Sequence, residues 1–168
     1  MSGMVSIRNQ IDKDGKEGKY LTFALGHEEF GLEILKVREI IGHMGITAVP
    51  QTPAYVKGVI NLRGQVIPVV DLRLMFGMAE QEVTEQTCII VVEIDNGKQQ
   101  FNTGIMVDRV SEVLDIQEEQ IEDAPQFGSN MNTDIILGMG KIGSSVKILL
   151  DINRVLSSEC IEDLGSVV

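Results

Sequence analysis

The sequence predicts an all-β protein with only short helices, assembled from two related halves of about five strands each. Three observations lead there. From Tyr20 onward the apolar stretches are short and rich in valine and isoleucine, Gly, Asn and Asp bound them where the chain must reverse, and the stretches recur in a second copy. Strand-length runs of β-branched residues between such turn residues are the signature of a sheet.

Residues 1–19 are polar, with Gly15 and Gly18 set among charges, and read as a flexible leader. Strands are expected at 20–25, 56–62, 66–72, 88–94, 101–107, 135–137 and 146–152. Gly26-His27-Glu28-Glu29, Arg63-Gly64 and Asp95-Asn96-Gly97-Lys98 supply the reversals, because Gly and Asn accept the positive φ of tight hairpins. Pro68 removes a ladder donor, which places its strand at a sheet edge or turns that position outward. Leu32, Ile34, Leu35, Val37, Ile40 and Ile41 fit a strand and a helical stripe equally, so periodicity leaves this segment open. Short helices are expected at 72–76 and 152–156, the second extending toward Cys160.

The repeat is the most informative feature. Segment 30–41 lies over 103–114 at an offset of 73, with Gly31/Gly104, Val37/Val110 and Glu39/Glu112 identical. Segment 58–72 lies over 138–152 at an offset of 80, with Gly58/Gly138, Val66/Val146 and Asp71/Asp151 identical. The organisation expected is a folded unit over 20–156, with halves at about 20–82 and 83–152 that can exchange strands across the boundary, and a tail at 157–168. A half of about 65 residues is marginal as an independent core, so the halves should share apolar contacts and leave a groove for docking where they meet.

Charge and motif content argue against chemistry. Fourteen basic residues against 25 acidic ones give a net charge of −11, which repels nucleic acid and anionic lipid alike. The acidic runs at 80–85 and 115–123 read as solvated surface. Apolar runs stop well short of the ~18 residues of a membrane span, so direct insertion is not expected. Cys88 and Cys160 belong to no Cys-x-x-Cys pattern, and His27 and His43 stand apart from them, so neither a metal site nor a base and nucleophile pair emerges. Gly138 to Gly143 matches Gly-x-Gly-x-x-Gly, but strand-like residues follow where a dinucleotide site needs a helix. No cofactor is expected, and the residues describe a binding module.

The stretch Leu35-Lys-Val-Arg-Glu-Ile40, the stretch 53–73 with its Asn-Leu-Arg-Gly turn, Gly104-Ile-Met-Val-Asp-Arg-Val-Ser-Glu-Val-Leu114, and Ile148-Leu-Leu-Asp-Ile152 closely resemble the CheW family of chemotaxis coupling proteins. The resemblance covers nearly everything from Tyr20 to about Leu156. It implies two SH3-like five-stranded barrels packed together. It also implies a cytoplasmic, non-catalytic adaptor that bridges the tips of chemoreceptors to the regulatory domain of the histidine kinase CheA. In the family, positions matching Val37, Glu39, Gly58, Arg63, Val110 and Val113 are associated with partner contact.

Physical reasons differ among these six. Arg63 at a hairpin tip can offer its planar fork of donors to a carboxylate. Glu39 among apolar neighbours must face water or pair with a base, its own or a partner's. The three valines are equally suited to a core. Gly58 permits a backbone geometry rather than offering a contact.

Overall fold

Each β-branched run becomes a strand, and its reversal residues become turns. A computed structural model describes residues 16–95, 97–125 and 133–157. The strands in chain order are β1 (Gly18–Leu25), β2 (Glu28–Glu33), β3 (Val37–Gly42), β4 (Val56–Leu62), β5 (Gln65–Asp71), β6 (Cys88–Asp95), β7 (Gln100–Val107), β8 (Arg109–Ile116), β9 (Ile121–Glu122), β10 (Ile136–Ile142) and β11 (Ser145–Leu150). Helices α1 (Leu72–Met75) and α2 (Ile152–Ser157) each follow the second strand of a hairpin. Residues beyond 157, including Cys160, lie outside the described residues.

Two sheets result, with strand orders β8-β1-β2-β11-β10-β9 and β3-β6-β7-β5-β4. Under the repeat, β1, β2, β3, β4 and β5 correspond to β6, β7, β8, β10 and β11. The orders are then the same apart from the two-residue β9. Parallel pairing repeats to the residue, since Gly31 opposes Leu149 just as Gly104 opposes Val69. A Cβ on Gly31 or Gly104 would lie 2.9 Å from Leu149 or 2.8 Å from Ile89, which explains why this repeated position is glycine.

Strands are exchanged between the segments on either side of residue 82. Strands β1 and β2 join the later strands, while β6 and β7 join β3 to β5, so each sheet takes two strands from one half and the rest from the other. Local sequence reveals which residues form strands but not which strand edge lies free to receive them. The same long-range pairing starts β1 at Gly18 rather than Tyr20, because Gly18 and Lys19 oppose Ile116 and Asp115.

Apolar side chains fall into three clusters. One lies between the sheets and combines Leu21, Phe23 and Leu32 with Ile90, Val92 and Ile105. Ile60, Ile67, Val69, Ile89, Val91 and Met106 form a second, drawn from four strands of the β3-to-β4 sheet. Tyr20, Ile116 and Leu149, with Leu137 and Ile142 packed on them, form the counterpart in the other sheet. Successive residues of β6 alternate between clusters, Ile89 and Val91 to one side and Ile90 and Val92 to the other, as a doubly buried strand must. Each sheet therefore curls round a small core of its own and presses its outer face on a shared one.

Turns and caps follow residue chemistry. Arg63 and Gly64, with φ of 52° and 84°, close the β4–β5 hairpin as a two-residue turn between Leu62 and Gln65. Gly143 at φ 60° does the same between Ile142 and Ser145, so the Gly-x-Gly-x-x-Gly run ends in a hairpin with no helix after it. Gly97 donates its amide to Asp95 Oδ1 at 2.8 Å, whereas Asn96 lies outside the described residues. Asp71 Oδ1 accepts from Arg73 N at 2.9 Å to cap α1, and Asp151 Oδ1 accepts from Arg154 N at 3.2 Å in α2.

Three sequence expectations change, and a fourth narrows. Of the two placements open to Pro68 the edge strand is excluded, since β5 lies between β4 and β7; the ladder with β7 begins one residue later, at Val69, so no donor is missed there. The ambiguous 32–41 segment is neither a single strand nor a helix, but the end of β2, a 3-10 turn at Ile34–Lys36, and β3. The strand expected at 135–137 extends to Ile142 through glycines that weaken its apolar signal. The one expected at 146–152 stops at Leu150, where Asp151 begins the helix cap.

Gly58 sits in β4 at φ 140°, and a Cβ there would lie 2.0 Å from the Thr47 carbonyl oxygen. Gly58→Ala is therefore expected to cost at least about 3 kcal/mol, read as a shift of the urea midpoint, because the strand must give way to relieve both the clash and the strain. Glu33, at the end of β2, has its carboxyl pushed above the usual range, mainly by burial, with Lys36 opposing and Asp151 adding to the rise. A raised pKa in the folded state favours the protonated form, so ionisation above that pKa costs stability. Relative to the parent, Glu33→Gln should melt higher at pH 7 than at pH 4, and an equal difference at both would contradict this.

Candidate partner-binding surface

Strands β3 and β8 correspond under the repeat, and each forms an end of its sheet. Each also follows a crossing of the chain from the opposite sheet. A bulge between Val37 and Glu39 sets Val37 opposite Val92 and Glu39 opposite Val91, with Arg38 left as the extra residue. Val37 consequently packs, half-buried, on the shared core, while Arg38 turns to an ion pair with Glu93.

Glu39 is bonded to Arg63, whose Nη2 donates to the Glu39 carboxylate. β3 and β4 stand at opposite ends of their sheet, so a bond from the β4–β5 turn to β3 crosses the seam where that sheet curls on itself. The Glu39 side chain is 26% exposed and that of Arg63 is 73% exposed. An ion pair so open to water contributes at most about 1 kcal/mol. Arg63 is thus held by a carboxylate of its own chain, and Glu39 takes the internal of its two expected partners.

The remaining candidates part company. Val110 opposes Phe23 and packs half-buried on the shared core, as Val37 does. Val113, opposite Leu21, is 49% exposed and offers its side chain to solvent. Gly58 is buried and packs against the backbone of Thr47 and Ala48, so it shapes the surface without belonging to it. The structure therefore joins Glu39 to Arg63 on one sheet and sets Val110 and Val113 on β8 of the other.

Sequence reasoning missed several exposed apolar residues. Ile40, the counterpart of Val113, is 43% exposed, and the identical pair Val66 and Val146 are 67% and 51% exposed. The repeat contained that signal: matching valines beside matching turns lie at hairpin ends, where one face meets solvent. Leu35, at the apex of the 3-10 turn, is 91% exposed.

Ligand-sized space is lacking in the two clefts beside these elements. One of about 90 Å³ is lined by Glu17, Tyr20, Glu33 and Leu35, and one of about 10 Å³ lies by Arg73 and Asp108. Cofactor and drug pockets run to ~300 Å³ or more. Among the described residues no group of three His, Cys, Asp or Glu side chains is placed to hold a metal ion, and no helix is long and apolar enough to cross a membrane. Part of the acidic run is paired: Asp123 with Lys16 at 3.1 Å, Asp115 with Lys19 at 3.8 Å, and Glu122 with Lys141 at 2.7 Å.

Known proteins share this architecture. The chain is 43% identical over 159 residues to the chemotaxis protein CheW of Klebsiella aerogenes, covering 95% of this chain and 93% of the relative. It is 33% identical over 142 residues to the chemotaxis protein CheW of Bacillus subtilis, covering 84% and 88%. The crystal structure of the scaffolding protein TtCheW from Thermoanaerobacter tengcongensis superposes with a TM-score of 0.74 at 33% identity, over 86% of this chain and 95% of that one. A family model for the CheW-like domain matches residues 19–160. With its paired curled sheets and its edge strands β3 and β8, the chain belongs to the CheW-like domain family of chemotaxis scaffold proteins.

Proposed function

We propose that this chain is a non-catalytic adaptor that holds the cytoplasmic tip of a methyl-accepting chemoreceptor and the regulatory domain of the histidine kinase CheA together, so that the receptor controls the kinase. One observation carries the reading: a CheW-family fold that presents two related but chemically distinct surfaces, one on each curled sheet. Binding two partners at once raises the effective concentration of each for the other, which is how a scaffold acts without turnover. A net charge of −11 disfavours nucleic acid and anionic lipid as those partners. The protein would work in the cytoplasm, brought to receptor arrays by the receptors themselves.

Within this reading Glu39, Arg63 and Val113 meet a partner directly. Val37 and Val110 support the strands that carry them, and Gly58 sets the backbone beside them. The weak, exposed Glu39–Arg63 pair suits exchange, because a partner carboxylate or base can replace one internal bond by another of similar strength. Exposed valines contribute by losing water on contact.

Reconstitution tests the function: receptor-containing membranes and kinase should show receptor-controlled phosphorylation only when this chain is added, and equal control without it would refute the adaptor role. Arg63→Ala should weaken one partnership about thirtyfold, a ~2 kcal/mol contact, while the melting temperature stays nearly unchanged. Swapping the charges in a Glu39→Arg, Arg63→Glu double variant restores the internal pair but presents the opposite pattern outward. If that variant binds like the parent, the pair is structural and contacts no partner.

A further inference from the structure

The chain passes between the sheets at two places, the Ile34–Lys36 turn leading from β2 to β3, and Asp108 leading from β7 to β8. The two crossings are built differently. At the second, the Asp108 carboxylate accepts from Arg73 Nε at 2.8 and 3.1 Å and from the Gly26 amide at 2.7 Å, while its own amide donates to the Ala24 carbonyl at 3.2 Å. Arg73 extends from α1, directly after β5 of one sheet, whereas Ala24 and Gly26 belong to the end of β1 and its turn in the other. Arg73 Nη1 is also bonded to the Ala79 carbonyl at 2.8 Å, which fixes the guanidinium from behind. The side chains of Arg73 and Asp108 are only 15% and 20% exposed.

The repeat supplies an internal control. Asp108 corresponds to Leu35, which is 91% exposed. Arg73 corresponds to Asn153, whose Oδ1 accepts one neutral hydrogen bond, from Asp95 N at 3.1 Å. The same pair of sheets is thus tied by a charged, multiply bonded carboxylate at one end and, at the equivalent position of the other, by the neutral bond between Asn153 and Asp95. Neither Leu35 nor Asn153 can ionise, so the Arg73–Asp108 ion pair has no counterpart at the equivalent positions.

We propose that Arg73 and Asp108 form a one-sided latch that sets how the two curled sheets sit relative to each other. The latch thereby places β8, which starts at the very next residue, with respect to β3. Charge-assisted bonding, with Arg73 Nε shared between both Asp108 oxygens and the Gly26 amide on one of them, gives this end orientational stiffness that the neutral Asn153–Asp95 bond lacks. The consequence for partners rests on the adaptor reading above, because β3 and β8 carry the surfaces proposed there; the latch itself does not.

Spin labels on the free full-length chain test it. In a Cys88→Ser, Cys160→Ser background, Gln65→Cys and Ser145→Cys place equivalent exposed labels on the two sheets, and Gln65→Cys with Gln100→Cys places both on one. Arg73→Met should widen the intersheet distance distribution at least about twofold and leave the within-sheet distribution unchanged. Asp108→Asn, which keeps an acceptor for Gly26, should widen it less and guards against misfolding of the first variant. An intersheet width equal to the parent's in both variants overturns the latch, as does equal widening within the sheet, which would mean general loosening. Receptor binding measured on the unlabelled parent is a separate arm: its absence would sink the adaptor reading and leave the distance result standing.

Discussion

Everything in this molecule depends on reciprocal strand exchange. Neither sequence half contains a complete sheet: β1 and β2 have no third partner until β8 and β11 arrive, and β6 and β7 none until β3 and β5 do. Unpaired backbone donors and acceptors are too costly to bury, so each half can fold only by completing the other. The shared apolar cluster then follows, because the exchanged strands bring the outer faces of both sheets together. This arrangement makes one cooperative unit out of two segments too small to hold a core alone.

Duplication fixes the frame and leaves the surface free to diverge. Positions that the ladders and caps demand have stayed the same, such as Gly31/Gly104 against the parallel strand and Asp71/Asp151 at the helix starts. Positions with other neighbours have parted. Arg63, paired with Glu39, has Gly143 as its counterpart, which retains the positive φ but has no side chain to pair. Ile67, in the core of one sheet, has as its counterpart Lys147, which is 8% exposed and held by Glu29 at 3.0 Å. An ion pair thus stands where the other sheet has isoleucine, so the two sheets differ in polarity at this position although their strands match.

Strength is distributed unevenly over the ion pairs, and exposure decides how. Arg73 with Asp108 is shielded and shares its carboxylate with a backbone amide, which makes it costly to break from either side. Arg63 with Glu39 is open to water and crosses a seam, so little is lost when a competing group displaces it. A scaffold benefits from both kinds: a frame that keeps its shape and surface bonds that yield.

Read alone, the sequence determined seven of the strands, the hairpin turns, the repeat and the family, because each is written in neighbouring residues and in a fixed spacing. Only the tertiary structure decided that the halves exchange strands, that β5 lies inside its sheet despite Pro68, and that Arg63 is held by Glu39. It also decided which valines are which: Val37 and Val110 pack on the core while Val66, Val113 and Val146 face solvent. The physical reason is common to all of these. Hydrophobicity and turn chemistry act over a few residues, whereas the face a side chain occupies and the group it pairs with depend on strands some seventy positions away, which no local pattern encodes.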